Sequence, residues 1–559
     1  MARLLPLLLP LALLVPLLSG AGPKPAEPPV KLVVVVYFDQ LRGDYLGRWG
    51  DLFGDRGFRR LTADGAWFTD CHYPYAVTTT GPGHASGLAG CGGAVHGIIN
   101  NEWYDRRAGK AVYCAASDRY QFVPPPAPTK PVADAKEDTR TAEDKLTGNP
   151  DKMLVETTAD RVKAAGGRVF GLSLKDRSAV FPAGHKPDGA YWFTGQFVTS
   201  TYYRDTLPPW VTDFNASGTA RQWVGKSWAK LRPELDYAAR SGPDDAPGEG
   251  TGKGGATKQG RTFPHPFPPA VGGDYYDSLA YSPAGNELLL AFTKACVQAE
   301  RLGTGDTTDL LSVSFSSNDL IGHTWGPDSQ EVLDVTLRSD AIMADLLGFL
   351  DAKIGAGKYA VLLTADHGVA PIPPPDKRIR PQPLVLAAER FLQATYGKPD
   401  GGERNLWLEA LVPPHVYLNH RLLAAKGLKP EEVAGKLAEW LPTLPGVQAA
   451  YTPGMFGRTD FDPLREQVRL CYHPDRGGDV VVVTKPYYLI DKYDTGTSHG
   501  TPHEYDTHVP LLVLAPGVAG GRRSETVTPL HLAAIASRLL GVPPPAAAQY
   551  PVPATLFGK

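Results

Sequence analysis

A run of four consecutive valines, Val33–Val36, lies inside the predicted strand 31–38 and puts apolar side chains on both faces of that strand. A strand that is apolar on both faces is typical of a parallel sheet covered by helices on both sides. Helical patterns separate this run from later ones, so we predict an α/β fold with a doubly wound, mostly parallel sheet and helices on both faces. The later short apolar runs lie at 169–174, 310–315, 359–363 and 509–514.

Two helices are predicted together with their ends. The stretch 331–354 carries apolar residues on one face and follows 328–331, which has the pattern of a capping box. A second helix is predicted near the C-terminus, with Thr528 as the N-cap, Pro529 in the first turn and Gly541 beyond the last turn.

Two segments interrupt the alternation of strands and helices. Residues 181–285 contain few long apolar runs and include a Gly-, Pro- and Lys-rich tract at 241–260, which we predict to be a mobile loop. Residues 375–490 mix strand-like and helical patterns, which favours a small α+β cap. We therefore predict one domain over 22–559, with insertions at about 181–285 and 375–490.

The first 21 residues have the pattern of a signal peptide. Arg3 precedes the apolar stretch Leu4–Leu18, and the small residues Ser19–Ala21 follow it. A membrane anchor is the alternative, but the stretch is interrupted by three prolines and is shorter than the roughly 20 residues that a spanning helix needs. We expect cleavage after residue 21, export to the periplasm or the medium, and no membrane span in the mature chain.

The charge balance and the cysteine content limit which binding partners, metal sites and disulfides the chain can have. The 57 Lys and Arg residues nearly balance the 59 Asp and Glu residues, so we expect no nucleic-acid-binding surface. The five cysteines form no Cys-x-x-Cys pair, which argues against a cysteine-bound structural zinc. In an oxidising compartment one or two disulfides are expected, and Cys91 with Cys114 is the pair that we predict.

Polar residues end several of the predicted strands. Ligands in open α/β sheets bind at the carboxyl ends of strands, so these groups are expected to converge. Carboxylates and imidazoles suit zinc, although manganese accepts the same ligands. Each group alone fits an ordinary turn, N-cap or loop hydrogen bond, but their combination favours a metal site. The residues are Asp39, Asp319, His323, Asp366, His367 and His499.

In this order the residues resemble the alkaline phosphatase superfamily, in the branch that contains nucleotide pyrophosphatase/phosphodiesterases and bacterial alkaline phosphatases with a threonine nucleophile. The matching pieces extend from about residue 31 to 541, which makes 22–559 an alkaline phosphatase-like catalytic domain. The resemblance implies two Zn²⁺ ions per chain. One would be held by Asp319, His323 and His499, and the other by Asp39, Asp366, His367 and the nucleophile.

The nucleophile is expected in the segment 78–85. The family spacing Thr-x-Pro-x-His selects Thr80, and Pro82 can begin a helix that places Thr80 at its N-terminus, where an anion is favoured. The alternative is a Thr/Gly turn with an N-cap role. Sulfatases would carry Arg in place of His84, and we interpret His84 and His96 as structural.

Three further residues match substrate-binding positions of the family. Asn101 matches a donor to a phosphate oxygen, and Lys175 with Arg177 matches the positive pair of the monoesterases, although such a pair is otherwise a solvated surface feature. The resemblance implies a hydrolase of small phosphate monoesters that acts through a phosphothreonine intermediate, and we expect the chain to be a monomer. A phosphodiesterase or nucleotide pyrophosphatase and a catalytically silent zinc-binding scaffold are the alternatives.

Overall fold

The computed structural model describes residues 30–125, 148–399 and 406–557, so the predicted signal peptide at 1–21 lies outside the described residues. The strands are β1 Leu32–Phe38, β2 Ala66–Phe68, β3 Glu102–Asp105, β4 Lys110–Tyr113, β5 Phe122–Val123, β6 Val169–Ser173, β7 Gly189–Phe193, β8 Phe197–Ser200, β9 Ser227–Trp228, β10 His265–Pro266, β11 Asp309–Phe315, β12 Tyr359–Thr364, β13 Arg378–Ile379, β14 Leu408–Val412, β15 His415–Leu418, β16 Val447–Tyr451, β17 Val480–Thr484, β18 Leu489–Ile490, β19 Leu511–Leu514 and β20 Gly521–Arg523. The helices are α1 Tyr45–Arg48, α2 Phe58–Asp64, α3 Thr80–Ala89, α4 Gly93–His96, α5 Thr158–Ala164, α6 Asp176–Ala183, α7 Pro209–Ala216, α8 Tyr237–Ser241, α9 Gly273–Ala280, α10 Pro283–Ala299, α11 Ser317–Trp325, α12 Gln330–Leu350, α13 Pro381–Tyr396, α14 His420–Ala425, α15 Pro430–Trp440, α16 Pro463–Cys471, α17 Glu504–Thr507 and α18 Leu532–Leu540.

Ten strands form the main sheet, in the order β20–β2–β19–β12–β1–β11–β6–β7–β8–β5. The five central strands, β12, β1, β11, β6 and β7, run parallel to one another. The flanking strands β19 and β8 run antiparallel to their inner neighbours. The predicted doubly wound α/β fold is therefore confirmed, with antiparallel strands added at both edges.

Helices pack in two layers against this sheet. Helices α3, α5, α6 and α18 pack together and contact strands β1, β6 and β12, whereas α2 and α10 contact strands β6, β11 and β19 and α12 packs on both of these helices. All seven residues of β1 are buried, because the valine run has an apolar side chain for each layer. The candidate site lies at the carboxyl ends of the parallel strands.

The predicted ends of the two helices agree with the structure to within a few residues. Helix α12 begins at Gln330, and the Ser329 side chain, rather than a full capping box, accepts the N–H of Val332 at 3.1 Å. Near the C-terminus the Thr528 hydroxyl accepts the N–H of Leu530 at 3.4 Å. Gly541 then ends α18 in the left-handed conformation with φ of 69°, which glycine adopts without steric cost.

The first predicted insertion begins later in the chain than residue 181. Strands β7 and β8 fall inside 181–285, yet both belong to the main sheet. The sequence of β7, Gly-Ala-Tyr-Trp-Phe, has no aliphatic run, and this is why pattern reasoning placed it outside the core. The tract at 241–260 also differs from the predicted mobile loop: Glu249 is buried, and the N–H of Gly250 donates to the carbonyl of Thr324 at 2.7 Å.

The second predicted insertion contains a sheet of its own, in the order β14–β15–β17–β16, with antiparallel pairing. We refer to residues 375–490 as the cap. Within β17 the side chains alternate: Val480 and Val482 pack in the separate core of the cap, and Val481 and Val483 belong to the main core. The cap therefore rests on the main domain through one face of its sheet.

The predicted disulfide between Cys91 and Cys114 is wrong. All five cysteines are free and buried, and they lie in separate elements, such as Cys296 within α10 and Cys471 at the end of α16. Burial raises the pKa of the Cys114 thiol to about 12, which makes it a poor nucleophile. Among the described helices, none has the length and apolar character to cross a bilayer.

Candidate metal-binding and catalytic site

The fold brings the predicted ligand residues to one edge of the sheet. Asp39 follows β1 directly, Asp366 follows β12, and Asp319 lies in the first turn of α11 after β11. Strand β1 pairs with β11 on one side and β12 on the other, so three carboxylates emerge from three adjacent parallel strands. This is the edge at which ligands bind in open α/β sheets.

One compact group contains Asp39, Asp366 and His367. The Nε2 atom of His367 lies 3.5 Å from Oδ1 of Asp39 and 3.3 Å from Oδ2 of Asp366, and all three side chains are fully buried. These are the three residues that sequence analysis assigned to one metal position together with the nucleophile.

A second compact group contains Asp319, His367 and His499. Oδ1 of Asp319 lies 3.6 Å from Nε2 of His499 and 3.1 Å from Nε2 of His323. The rings of His367 and His499 stack with centroids 3.4 Å apart. His323 contacts Asp319 but is more exposed than the other ligands, and His367 joins the two groups.

The three histidines share one hydrogen-bonding arrangement. The Nδ1 atom of His323 lies 2.7 Å from the carbonyl oxygen of Thr497, and Nδ1 of His499 lies 2.8 Å from that of Thr78. Nδ1 of His367 lies 2.8 Å from the carbonyl oxygen of Gly368. A carbonyl oxygen only accepts, so each Nδ1 carries the proton and each Nε2 presents a lone pair to the carboxylates. This orientation is typical of metal-binding histidines.

The donor set fits a divalent metal ion. Oδ1 of Asp39 and Oδ2 of Asp366 are buried oxygens that accept no hydrogen bond from a described residue, and such atoms are costly unless a cation approaches them. Burial lowers the pKa of His367 and His499, which keeps both imidazoles neutral, as metal ligation requires. The residues present therefore match the metal dependence that the superfamily implies.

Lys175 lies between two of the carboxylates. Its Nζ atom is 2.7 Å from Oδ2 of Asp39 and 2.5 Å from Oδ2 of Asp319. Burial alone would lower the pKa of Lys175, but the two carboxylates raise it above its ordinary value. Burial and the charge of Asp366 raise the pKa of Asp39. The site is an acidic cluster in which the charge of Lys175 partly balances that of the carboxylates.

Thr80 is the first residue of α3 and is buried beside these groups. Its Oγ1 atom lies 3.4 Å from Nε2 of His367 and 3.5 Å from Nη2 of Arg177. Gly83, one turn later, lets the helix approach the sheet, because a Cβ there would lie 2.3 Å from the carbonyl oxygen of Asp366. The hydroxyl thus faces both a ligand group and a guanidinium.

Asn101 contacts the residue after Thr80, and Arg177 contacts Thr80 itself. The Oδ1 atom of Asn101 accepts the N–H of Gly81 at 2.7 Å, so its amide nitrogen is turned away from that bond. Arg177 donates to the hydroxyl of Tyr113 at 2.9 Å, and that hydroxyl donates to Asp176 at 2.6 Å. The amide and the guanidinium are therefore oriented by the protein before any substrate arrives.

Sequence analysis missed Gln40 as a member of the site. Its Nε2 donates to Oδ1 of Asp319 at 2.6 Å, and its backbone N–H donates to Oδ1 of Asp366 at 3.1 Å. Its backbone is left-handed, with φ of 69°. Gly322 leaves space for it, since a Cβ there would lie 1.8 Å from Oε1 of Gln40. A glutamine after a strand carries no sequence signal for this role.

His84, interpreted from the sequence as structural, lies behind the nucleophile. Its Nδ1 atom is 2.9 Å from the carbonyl oxygen of Thr80 and 3.3 Å from Oδ2 of Asp366, and its Nε2 atom is 2.8 Å from Oγ of Ser314. These contacts link the first turn of α3 to two strands of the sheet. His84 therefore positions Thr80 relative to Asp366 without joining either ligand group.

Comparison with known proteins identifies a family and several relatives of this chain. The family model described as type I phosphodiesterase / nucleotide pyrophosphatase matches residues 33–508. Alkaline phosphatase PafA of Elizabethkingia meningoseptica is 32% identical over 540 residues, 95% of each chain. Alkaline phosphatase PhoV of Synechococcus elongatus is 32% identical over 528 residues, 92% of this chain and 90% of its own.

Solved structures agree with these matches. The crystal structure of wild-type PafA superposes with a TM-score of 0.83 at 30% identity, covering 95% of this chain and 99% of that one. Murine ectonucleotide pyrophosphatase / phosphodiesterase 5 gives a TM-score of 0.51 at 14% identity, covering 92% and 96%, and shares the fold alone. The chain described here belongs to the type I phosphodiesterase / nucleotide pyrophosphatase family.

Proposed function

We propose that this chain is an exported alkaline phosphatase, a hydrolase of small phosphate monoesters that acts through a phosphothreonine intermediate on Thr80. The observation that carries the proposal is the position of Thr80 Oγ1, 3.4 Å from Nε2 of His367 and 3.5 Å from Nη2 of Arg177. An attacking hydroxyl, the metal-binding groups and a cation for the phosphoryl oxygens thus meet at one point. The alkaline phosphatases that cover most of the chain at 32% identity support the same activity.

Two zinc ions are the metals that we propose. Asp39, Asp366 and His367 would hold one, with Thr80 adjacent, and Asp319, His323 and His499 would hold the other. Zinc bound in this way activates a hydroxyl or water at neutral pH and stabilises negative charge on a departing oxygen.

The remaining parts of the mechanism, nucleophilic attack and binding of the phosphoryl oxygens, use side chains of the protein. Thr80 Oγ1 attacks phosphorus, the bond from phosphorus to the ester oxygen breaks, and the alcohol leaves with a proton that balances the one lost by Thr80; water then attacks phosphorus, releases inorganic phosphate and returns a proton to Oγ1. The three equatorial oxygens of the transferring group would receive hydrogen bonds from the amide of Asn101 and from the charges of Lys175 and Arg177. Because Tyr113 already holds Arg177, little reorganisation is needed during the reaction.

A phosphodiesterase with the same core is the second candidate, and the description of the matching family favours it. Lys175 and Arg177 support the monoesterase instead. A monoester presents up to two negative charges on three terminal oxygens, whereas a diester presents one charge and a second bulky substituent. Arg177 beside Thr80 and Lys175 among the neighbouring carboxylates match the first charge distribution better than the second.

Initial rates on an aryl phosphate monoester and its diester, measured together with metal content, test the proposal. We expect faster monoester hydrolysis, about two zinc ions per chain, and loss of activity on chelation that added zinc reverses. A preference for the diester would favour the phosphodiesterase. Full activity of metal-free protein would overturn the metal-dependent mechanism.

A further inference from the structure

A loop at residues 496–497 fixes the backbone and the ring of His323. The N–H of Thr497 donates to the carbonyl oxygen of His323 at 2.9 Å, and Nδ1 of His323 donates to the carbonyl oxygen of Thr497 at 2.7 Å. Gly496 packs against the same residue, since a Cβ there would lie 2.2 Å from the carbonyl oxygen of His323. The position of His323 therefore depends on the position of this loop.

The tract at 241–260 contacts this loop. The N–H of Gly496 donates to the carbonyl oxygen of Gly248 at 2.7 Å, and the N–H of Gly250 donates to the carbonyl oxygen of Thr324 at 2.7 Å. Thr324 lies in the last turn of α11. The tract therefore joins the end of α11 to the loop, and it leaves the carbonyl oxygen of Gly496 for another donor.

The cap supplies that donor from Arg378. Its Nη2 donates to the carbonyl oxygen of Gly496 at 2.5 Å, and its Nη1 donates to Oδ2 of Asp491 at 2.8 Å. The side chain of Arg378 is 1% exposed. A planar guanidinium that is buried and bound to two acceptors is restricted to one orientation. The two polar backbone groups of Gly496 are thus held by different segments, the N–H by the tract and the carbonyl by the cap.

A second arginine of the cap lies two residues away and does not hold the loop. Arg380 donates to Oδ1 of Asp491 at 3.4 Å and to the carbonyl oxygen of Tyr493 at 2.5 Å, and it pairs with Asp494. None of its hydrogen bonds to described residues reaches Gly496, and its side chain is 32% exposed. Arg380 is therefore a matched comparison, with the same side chain and a shared carboxylate partner.

His323 depends on such support more than its neighbours do. Its side chain is 31% exposed, whereas those of Asp319 and His499 are 4% and 6% exposed. Packing therefore fixes the ring of His323 less than it fixes the other two side chains. The hydrogen bond from Nδ1 to Thr497 orients the ring instead, and loss of a partner of this kind typically costs about 10- to 100-fold in metal affinity.

We propose that Arg378 is a positioning residue for metal binding at His323, and that it acts through the loop 496–497. The cap then contributes to metal binding, although the six predicted ligands all lie outside it. The proposal rests on the proposed function, because that function assigns His323 to a metal ion.

Zinc titrations of the full chain, in competition with a chromophoric chelator, test this role. Arg378→Met keeps an unbranched side chain and removes both donors, so one zinc ion should bind about 10- to 100-fold more weakly. The weakened ion should be the one that His323→Ala also weakens. Arg380→Met is the matched control and should bind zinc as the wild type does. Wild-type zinc affinity in Arg378→Met, or weakening of the other ion alone, would overturn the proposal.

Hydrogen exchange of the zinc-free full chain gives a readout that needs neither metal nor activity. The probe is the N–H of Thr497, which donates to the carbonyl oxygen of His323. It should exchange faster in Arg378→Met than in the wild type and in Arg380→Met, because the loop has lost one of its two supports. Equal exchange in the three proteins would contradict a positioning role.

Arg378→Lys decides the question if Arg378→Met does not fold. Lysine keeps a positive charge beside Asp491, but one ammonium group cannot span Asp491 and Gly496 as the planar guanidinium does. Zinc affinity at His323 should again fall, with thermal unfolding as the check on the fold. Wild-type zinc affinity in folded Arg378→Lys would exclude the proposed role.

The two proposals fail in different ways. Monoester hydrolysis by the wild type, together with unchanged zinc affinity in Arg378→Met, would overturn the role of Arg378 and leave the phosphatase standing. Absence of monoester hydrolysis, together with weaker zinc binding in Arg378→Met but not in Arg380→Met, would overturn the phosphatase and support the role of Arg378.

Discussion

The Oδ1 atom of Asn101 accepts the backbone N–H of Gly81, the residue that follows the proposed nucleophile, at 2.7 Å. This bond occupies the oxygen of the amide and orients its nitrogen as a donor. Asn101 thereby has two separable roles: its oxygen holds the first turn of α3, and its nitrogen is proposed to bind a phosphoryl oxygen.

Two substitutions separate these roles. Asn101→Asp keeps an oxygen for Gly81 but removes the donor, and Asn101→Ala removes both. If the nitrogen binds the phosphoryl group, kcat/KM for an aryl monoester should fall about 100-fold or more in both variants, and Asn101→Asp should be the worse because its charge repels the substrate. Near-wild-type activity of Asn101→Asp would show that only the oxygen matters.

Thr80→Ala should retain the fold and most of the metal but lose turnover by about three orders of magnitude or more. It should also lose the phosphorylated intermediate that acid quenching traps on the wild-type enzyme. Thr80→Ser is the matched control, because it keeps a hydroxyl beside His367 and should retain measurable turnover and the intermediate. A phosphate trapped on Thr78 or Thr79 would show that the nucleophile is assigned to the wrong threonine.

Gly322→Ala should weaken metal binding without weakening the fold. The added Cβ would lie 1.8 Å from Oε1 of Gln40, so Gln40 must move and release Asp319. Loss of such a supporting contact typically costs 10- to 100-fold in metal affinity, measured by competition with a chromophoric chelator. Gly348→Ala, in helix α12 with open space around its Cβ position, is the control and should leave zinc affinity unchanged. Equal zinc affinities in the two variants would contradict the role of Gln40.

The mature protein should begin at or near Gly22 and should be recovered outside the cytoplasm without detergent. The expectation follows from the apolar stretch Leu4–Leu18 and the small residues Ser19–Ala21. N-terminal sequencing of protein from the periplasm or medium measures it. Recovery of Met1 on a membrane-bound form would contradict cleavage.

The central sheet could be predicted because its strands have a recognisable apolar sequence that is followed by polar residues. The valine run of β1 is apolar on both faces, and Asp39 and Asp366 lie within two residues of the ends of the parallel strands β1 and β12. The positions of Asp39 and Asp366 at the sheet edge could therefore be predicted from the sequence pattern. Strand β7 could not be predicted in this way, since its three aromatic residues are consecutive and define no polar face, and its place in the sheet depends on pairing with β6.

Features that depend on contacts between residues far apart in the sequence could not be predicted from the sequence. Gln40 contributes through a left-handed backbone and two hydrogen bonds to residues about 280 and 330 positions away. The pairing of Cys91 with Cys114 failed for a related reason, because sequence spacing does not determine whether two buried thiols face each other. Both cases need the packed structure, whereas the order of ligand residues along the chain does not.

Lys175 and Arg177 should determine the preference for monoesters over diesters. A monoester gains most from extra positive charge, because it presents two negative charges on three terminal oxygens, and the second substituent of a diester would be crowded by both side chains. Lys175→Ala and Arg177→Ala should each lose about 100-fold or more in kcat/KM against an aryl monoester and much less against its diester. The ratio of the two activities should therefore collapse in both variants.

A matched pair of controls separates charge from position. Arg177→Lys keeps the positive charge but cannot reach both Thr80 and Tyr113 as the planar guanidinium does, so it should recover only part of the monoester activity. Arg204→Ala removes an arginine that stacks on Tyr191 away from the site and should leave the ratio unchanged. Equal losses on both substrates in Lys175→Ala and Arg177→Ala would show that these cations bind any anionic phosphate ester. That result would favour the phosphodiesterase, because charge matching to the monoester predicts a much larger loss on the monoester than on the diester.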